Sequence, residues 1–429
     1  MPSTLGTSNT GLSPVRTVLD NGVVVIAKET RTTPAVTINL AVRAGTVCDP
    51  ADAPGAMYLL SRVIDRGTAT RSADDIAEEL DSRGLALSTT VTRHAFSIVC
   101  TCLSEDFAPV LALLGDILRS PSIPEAELAT RKGEVVTGIR QDDDSPAVRA
   151  VESLMALLYP DGHPYGRRLK GTAEIVEQLT RERLAGLHRR YFAPAELSVV
   201  VVGDVTASRA RDNAARAFGD WATDRPPAVP LARPSPAASR RRLVIPMMNK
   251  AQADVAYGFV AIARADPAYE AFRLMNNAFG QYAIGGRLGD SIRERQGMAY
   301  YVFSSLDANV VEGPLVIRAG VSPANVDRTI ASIDEEVARL VREGLTEQEV
   351  NESRQYLVGS LPRTLETNAG IAQFLQTVEF FGLGLDYDVR IPGLLAAVTR
   401  DEVHAAAARV LEPGRATIVV AGPYDERPE

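Results

Sequence analysis

The chain reads as an α+β protein built from two tandem copies of one domain, each a mainly antiparallel sheet packed with helices. Three observations carry this reading. Segments rich in β-branched residues and segments of helical spacing follow each other without strict alternation, which argues against a doubly wound sheet. A proline-dense stretch lies near the middle of the chain. Blocks on either side of it repeat one another at fixed spacing, the mark of internal duplication.

Residues 1–15 are rich in Ser, Thr and Gly, lack a cationic start and an apolar run, and read as a disordered lead-in rather than a signal peptide. The first copy, 16–224, follows. Val23–Ala27, Val36–Val42, Phe96–Leu103 and Leu197–Val202 read as strands, because β-branched residues pack well on a pleated surface. Ala73–Ser82, Phe107–Arg119, Pro124–Arg140 and Arg181–Tyr191 carry helical spacing. Asp74 and Asp75 favour the positive end of the first of these helices, and Gly84 follows its end. Residues 225–239 contain Pro226, Pro227, Pro230, Pro234 and Pro236 and read as an extended linker. The second copy, 240–429, offers helices at Pro267–Phe279, Asn325–Arg342 and Thr346–Leu361. The duplication shows in the pairs Thr180/Thr399, Pro194/Pro413 and Gly203/Gly422, each 219 residues apart.

A net charge of −8 argues against nucleic-acid binding, which favours a basic stripe. The basic run Arg240-Arg241-Arg242 reads as a solvated linker edge. No apolar run reaches the length of a membrane span. The three cysteines, Cys48, Cys100 and Cys102, are too few for a disulfide framework. Cys100 and Cys102 share a strand face with no histidine nearby and read as core thiols. These features together point to the cytoplasm.

Gly55 to Gly67 reads Gly-Ala-Met-Tyr-Leu-Leu-Ser-Arg-Val-Ile-Asp-Arg-Gly, with Thr68 following. Further on, Glu134-Val135-Val136-Thr137-Gly138-Ile139 precedes the acidic turn Asp142-Asp143-Asp144-Ser145-Pro146. The second copy carries Gly285-Gly286-Arg287-Leu288, then Arg293-Glu294-Arg295-Gln296-Gly297-Met298-Ala299-Tyr300-Tyr301. These segments resemble the inverted-zincin peptidases, the pitrilysin, insulinase and mitochondrial-processing family. There Gly-x-x-His-x-x-Glu-His supplies two zinc ligands and the residue that activates water. A downstream Glu is the third ligand. In this chain the corresponding positions are Tyr58, Ser61, Arg62 and Gly138. A catalytic zinc needs three ligands of His, Cys or carboxylate type, which this set does not provide. His94, His163, His188 and His404 share no helical or strand spacing suited to one metal. His163 lies in a His-Pro-Tyr-Gly loop that the resemblance marks as structural.

The resemblance implies a subunit that binds no cofactor and is inactive alone. Its zinc would sit in a homologous His-x-x-Glu-His partner. The family's Arg/Tyr pair maps onto Arg287 and Tyr300, which would act in trans on the substrate backbone beside the scissile bond. Gly285 and Gly286 map near a substrate-touching glycine loop. The substrate would be a peptide or flexible segment, with leader peptides among the candidates. A pure scaffold and a peptide-binding homodimer without cleavage are the alternatives.

Overall fold

The computed structural model describes residues 11–281 and 286–425. Residues 1–10 of the lead-in, and Gly285, lie outside the described residues. The chain forms two compact units. The first comprises 1–136, 169–229 and 361–391, and the second 137–168, 230–360 and 392–429.

The first unit holds a six-stranded sheet of β1 (Val15–Val18), β2 (Val24–Glu29), β3 (Ala35–Val42), β4 (Ala86–Val91), β5 (Phe96–Leu103) and β6 (Leu197–Gly203). Its spatial order is β1-β2-β6-β3-β5-β4. The second unit holds a five-stranded sheet of β7 (Arg241–Pro246), β8 (Ala253–Val260), β9 (Ala299–Leu306), β10 (Pro314–Val321) and β11 (Thr417–Gly422), in the order β7-β11-β8-β10-β9. Without β1, the first sheet has the same topology as the second. In each, one pair is parallel, β2 with β6 and β7 with β11, and all others are antiparallel. The fold is α+β, and the duplication read from spacing is a duplication of sheet topology.

The central strands are nearly unbroken apolar runs because helices cover them. All eight residues of β8 are buried. In the first unit the Asn368–Phe381 helix packs on β3 and β6. Its Ile371, Ala372 and Leu375 join Ile26, Val200 and Val202 in one core. Gln376 is buried there, and its amide donates to the carbonyls of Asn39 (2.7 Å) and Ser198 (3.1 Å). In the second unit the Pro146–Leu158 helix packs on β8 and β11. Each sheet is thus covered by a helix from the other half of the sequence. Spacing had not marked either helix.

The helices Ala173–Gln178, Ala207–Phe218, Tyr387–Ala397 and Arg400–Val410 also went unmarked, while the marked stretches match closely. Helices span Ala73–Ser82, Phe107–Arg119 and Arg181–Tyr191. The 267–279 stretch differs: its α-helix covers only Tyr269–Asn276 and opens into a π-helical turn at Asn277–Gln281. The basic run is not merely solvated. Arg240 pairs with Asp334 at 2.8 Å, and Arg242 with Asp327 at 2.9 Å. Cys100 and Cys102 are buried free thiols, and burial pushes them up to about 11 and about 12, so both stay protonated.

Candidate functional site

In the first unit the degenerate motif lies on the Ala56–Val63 helix. Gly55 begins it at φ +91°, and a Cβ there would meet the Lys170 carbonyl oxygen at 2.3 Å, so glycine is required. Asp49 caps the helix, accepting from the amides of Gly55 and Met57, both at 2.8 Å. Leu59 and Leu60 are fully buried. Tyr58 is half-buried and Arg62 exposed. Ser61 is buried, and its hydroxyl donates to the Tyr58 carbonyl at 2.7 Å, which ties it to the helix backbone. Gly138 lies in the part of the Glu125–Asp143 helix that belongs to the second unit, and has no side chain to offer. A phenol, a tethered hydroxyl, a guanidinium and a glycine do not fit zinc. Among the described residues no group of three His, Cys, Asp or Glu is placed to hold a metal ion. Metal analysis of the chain, purified without chelator, should find no stoichiometric zinc; about one zinc per chain would contradict the donor chemistry.

In the second unit Arg287 sits just before the Gly289–Arg295 helical segment. Its guanidinium is largely buried and forks onto Glu349: Nε donates to Oε1, and Nη2 to Oε2 at 2.7 Å. Nη2 also donates to the Gly344 carbonyl at 2.8 Å, where the Val326–Glu343 helix ends. Nη1 is buried without a hydrogen-bond partner. Glu349 in turn accepts from the Thr346 amide and hydroxyl, at 2.7 and 2.8 Å, at the start of its own helix. Burial alone would raise the Glu349 carboxyl, but the bonds from Arg287 and Thr346 outweigh it and hold it below the usual range.

Tyr300 lies on β9, an edge strand, and is 82% exposed. Its exposure goes with a break in the register of β9 against β10. Tyr301 pairs with Gly320 and Ala299 with Val321, so Tyr300 is the extra residue of a β-bulge. The Tyr301 ring lies over Gly320, where a Cβ would meet ring carbon Cε1 at 2.5 Å. The Tyr301 hydroxyl donates to Asp254, a carboxylate only 4% exposed on β8. Burial raises the Asp254 carboxyl, opposed by the bonds from Tyr301 and Gln252. Burial, then the bond to Asp254, raises the Tyr301 phenol, which therefore stays neutral. The two adjacent tyrosines differ in surroundings: Tyr300 is exposed, while the Tyr301 hydroxyl reaches buried Asp254. Tyr301 is structural, not inert. Tyr301→Phe should cost about 1–2 kcal/mol in urea unfolding, since Asp254 keeps only the long Gln252 contacts. An unchanged midpoint would show that the hydroxyl does not hold the bulge.

Gly286 is buried, and its carbonyl accepts from the Asp290 amide at 3.0 Å. His163 is structural: its Nδ1 accepts from the Tyr165 amide at 3.1 Å, and its Nε2 lies 3.0 Å from the Ala232 carbonyl. Glu349, Asp254 and Gly320 went unmarked in the sequence. Only Thr346-x-x-Glu349, a helix-start pattern, carried a local signal.

Two sheets of one topology define a chain of duplicated architecture. The chain belongs to peptidase family M16. Residues 24–173 match the family model described as insulinase (peptidase family M16), and residues 178–357 that of the peptidase M16 inactive domain. An uncharacterised zinc protease of Streptomyces coelicolor is 26% identical over 420 residues, 96% of this chain and 90% of that protein. One of Mycobacterium tuberculosis is 27% identical over 423 residues, 97% of this chain and 94% of its own length. A crystal structure described as a peptidase M16 inactive domain from Pseudomonas fluorescens superposes with a TM-score of 0.90 at 25% identity, covering 97% of this chain and 99% of that one. A Helicobacter pylori protease shares the fold, with a TM-score of 0.87 at 16% identity, covering 95% and 99%.

Proposed function

We propose that this chain is the zinc-less subunit of a two-chain metallopeptidase. It lends Tyr300 and Arg287 to a homologous partner that carries zinc on a His-x-x-Glu-His helix. The observation that carries this reading is Tyr300: a large aromatic held almost fully in solvent by a bulge, in the segment that matches the family's Arg/Tyr motif. Bulges near active sites re-aim side chains. An outward phenol on an edge strand can donate its O–H to the oxyanion that forms when water attacks a peptide carbonyl. The open edge of β9 offers main-chain groups to an extended peptide. Arg287, held in place by Glu349, contributes its fixed charge. The substrate class is peptides and flexible segments, leader peptides included.

The Arg287–Glu349 ion pair favours a second reading, a scaffold subunit in which Arg287 only ties two helices together. Co-purification from the native host tests the first reading. The expected product is a complex of this chain with a zinc-bearing M16 homologue, holding about one zinc per pair and cleaving unfolded peptides that neither chain cleaves alone. Isolation as a homodimer with no such partner would remove the basis for action in trans.

A further inference from the structure

The register of β9 fixes how an extended peptide would lie along its edge. The Asp307 amide donates to the Pro314 carbonyl at 3.0 Å. Antiparallel alternation then turns the main-chain groups of Ser305 and Phe303 toward β10, and those of Val302 and Ser304 away from it. A strand added at this edge would set one residue opposite Phe303 in a non-hydrogen-bonded pair. The Cα atoms of such a pair are about 4.5 Å apart, and the two side chains share one face.

That face carries a cation. Arg318 on β10 lies directly opposite Phe303, with Ala256 of β8 on its other side. Its guanidinium leans over the Phe303 ring, 5.5 Å from the centroid. Both side chains are half-buried. Among the described residues no carboxylate forms an ion pair with Arg318. Asp254 lies on the same sheet, but its oxygens are engaged by Tyr301 and Gln252, and Arg318 is the weakest influence on its carboxyl. Arg318 is also the weakest influence on the Tyr301 phenol. No nitrogen of Arg318 is sealed from water without a partner, and one phenol cannot occupy five N–H donors. The guanidinium therefore keeps donors for a ligand beside Phe303. A carboxylate matches their fork, a lysine would be repelled, and a neutral side chain would gain nothing from the charge.

We propose that Arg318 is a specificity-determining residue, selecting an extended peptide that carries aspartate or glutamate opposite Phe303. The carboxylate accepts from the guanidinium, and its methylene groups rest against Phe303. Phe303 lies three residues beyond Tyr300, so the acidic residue falls about 10 Å along the strand from the phenol. The proposal rests on the peptide-binding part of the reading above and not on the zinc-bearing partner.

The test is fluorescence anisotropy of the full chain with a labelled peptide of about ten residues, built from Thr, Ser and Ala around one central Glu. Saturable binding is expected, with a Kd of about 10–500 μM. The same peptide with Gln should bind at least about fivefold more weakly, and with Lys more weakly still. This series needs no variant of the protein. Arg318→Gln should make the Glu and Gln peptides equal, and Arg318→Glu should turn the preference toward Lys. Arg342→Gln, an exposed change on another element, should leave the preference intact. No saturable binding of the Glu peptide, equal binding of the Glu and Gln peptides by the wild type, or a preference that survives Arg318→Gln would each overturn the assignment. Acid preference in a chain that has no zinc-bearing partner would uphold Arg318 and remove the two-chain reading. Cleavage by the pair without acid preference at any position would do the reverse.

Discussion

Tyr300→Phe is expected to lower kcat of the reconstituted two-chain complex by roughly ten- to a thousandfold, with assembly unchanged. The side chain is 82% exposed, so losing its hydroxyl should leave the folded chain intact. The effect should fall on kcat and on kcat/KM alike, because an oxyanion donor acts in the transition state. Arg287→Ala should also reduce turnover, but it is a less clean probe. It strips Glu349 of its ion pair and Gly344 of a donor, so thermal stability should fall with it. Comparing the two variants separates contact with substrate from support of the fold. Should both assemble normally and cleave at wild-type rates, the scaffold reading takes over.

Acidification should unfold the chain earlier than carboxylate titration alone would. Burial, assisted by Arg93, pushes His94 down to about 4. Burial does the same to His188, also to about 4, against the opposing hydrogen bond to the Leu118 carbonyl. Each folded-state value lies below the unfolded value of about 6.5, so the unfolded chain binds more protons between them. The stabilising contribution is therefore complete above about pH 6.5 and is lost as pH falls toward 4. It amounts to about 3 kcal/mol per histidine at the bottom of that window. Urea unfolding at pH 7, 6 and 5 should show a midpoint that drops at each step. His188→Gln keeps an N–H for Leu118 and should flatten the slope. A midpoint constant from pH 7 to 5 would mean that neither ring is held neutral by burial.

The parts of this fold that sequence revealed are those whose cause is local. Phe107–Arg119 advertises its helix through apolar spacing and a last-turn Arg119, and the structure agrees. The 219-residue spacing survives as two sheets of identical topology. The Pro146–Leu158 and Asn368–Phe381 helices were not legible, since what fixes them is a distant sheet rather than their own pattern. The same division holds at the candidate site. Arg287 and Tyr300 stood out as a motif, but their surroundings are long-range. Glu349 lies 62 residues from Arg287, and Asp254 lies 47 from Tyr301. The bulge that exposes Tyr300 depends on register with β10, which no window of β9 alone encodes.

The two crossing helices change what the linker is. A duplication joined by a proline-rich tether normally yields two modules that could be cut apart and expressed singly. Here a cut between Val229 and Pro230 would separate neither unit, because 361–391 belongs to the first and 137–168 to the second. The nicked product would behave as two complementary fragments, each holding a helix the other needs to close its core. Neither half-gene encodes a self-sufficient body. Selection on this duplicated chain therefore acts on one indivisible folding unit, and the structural demand falls on both halves together.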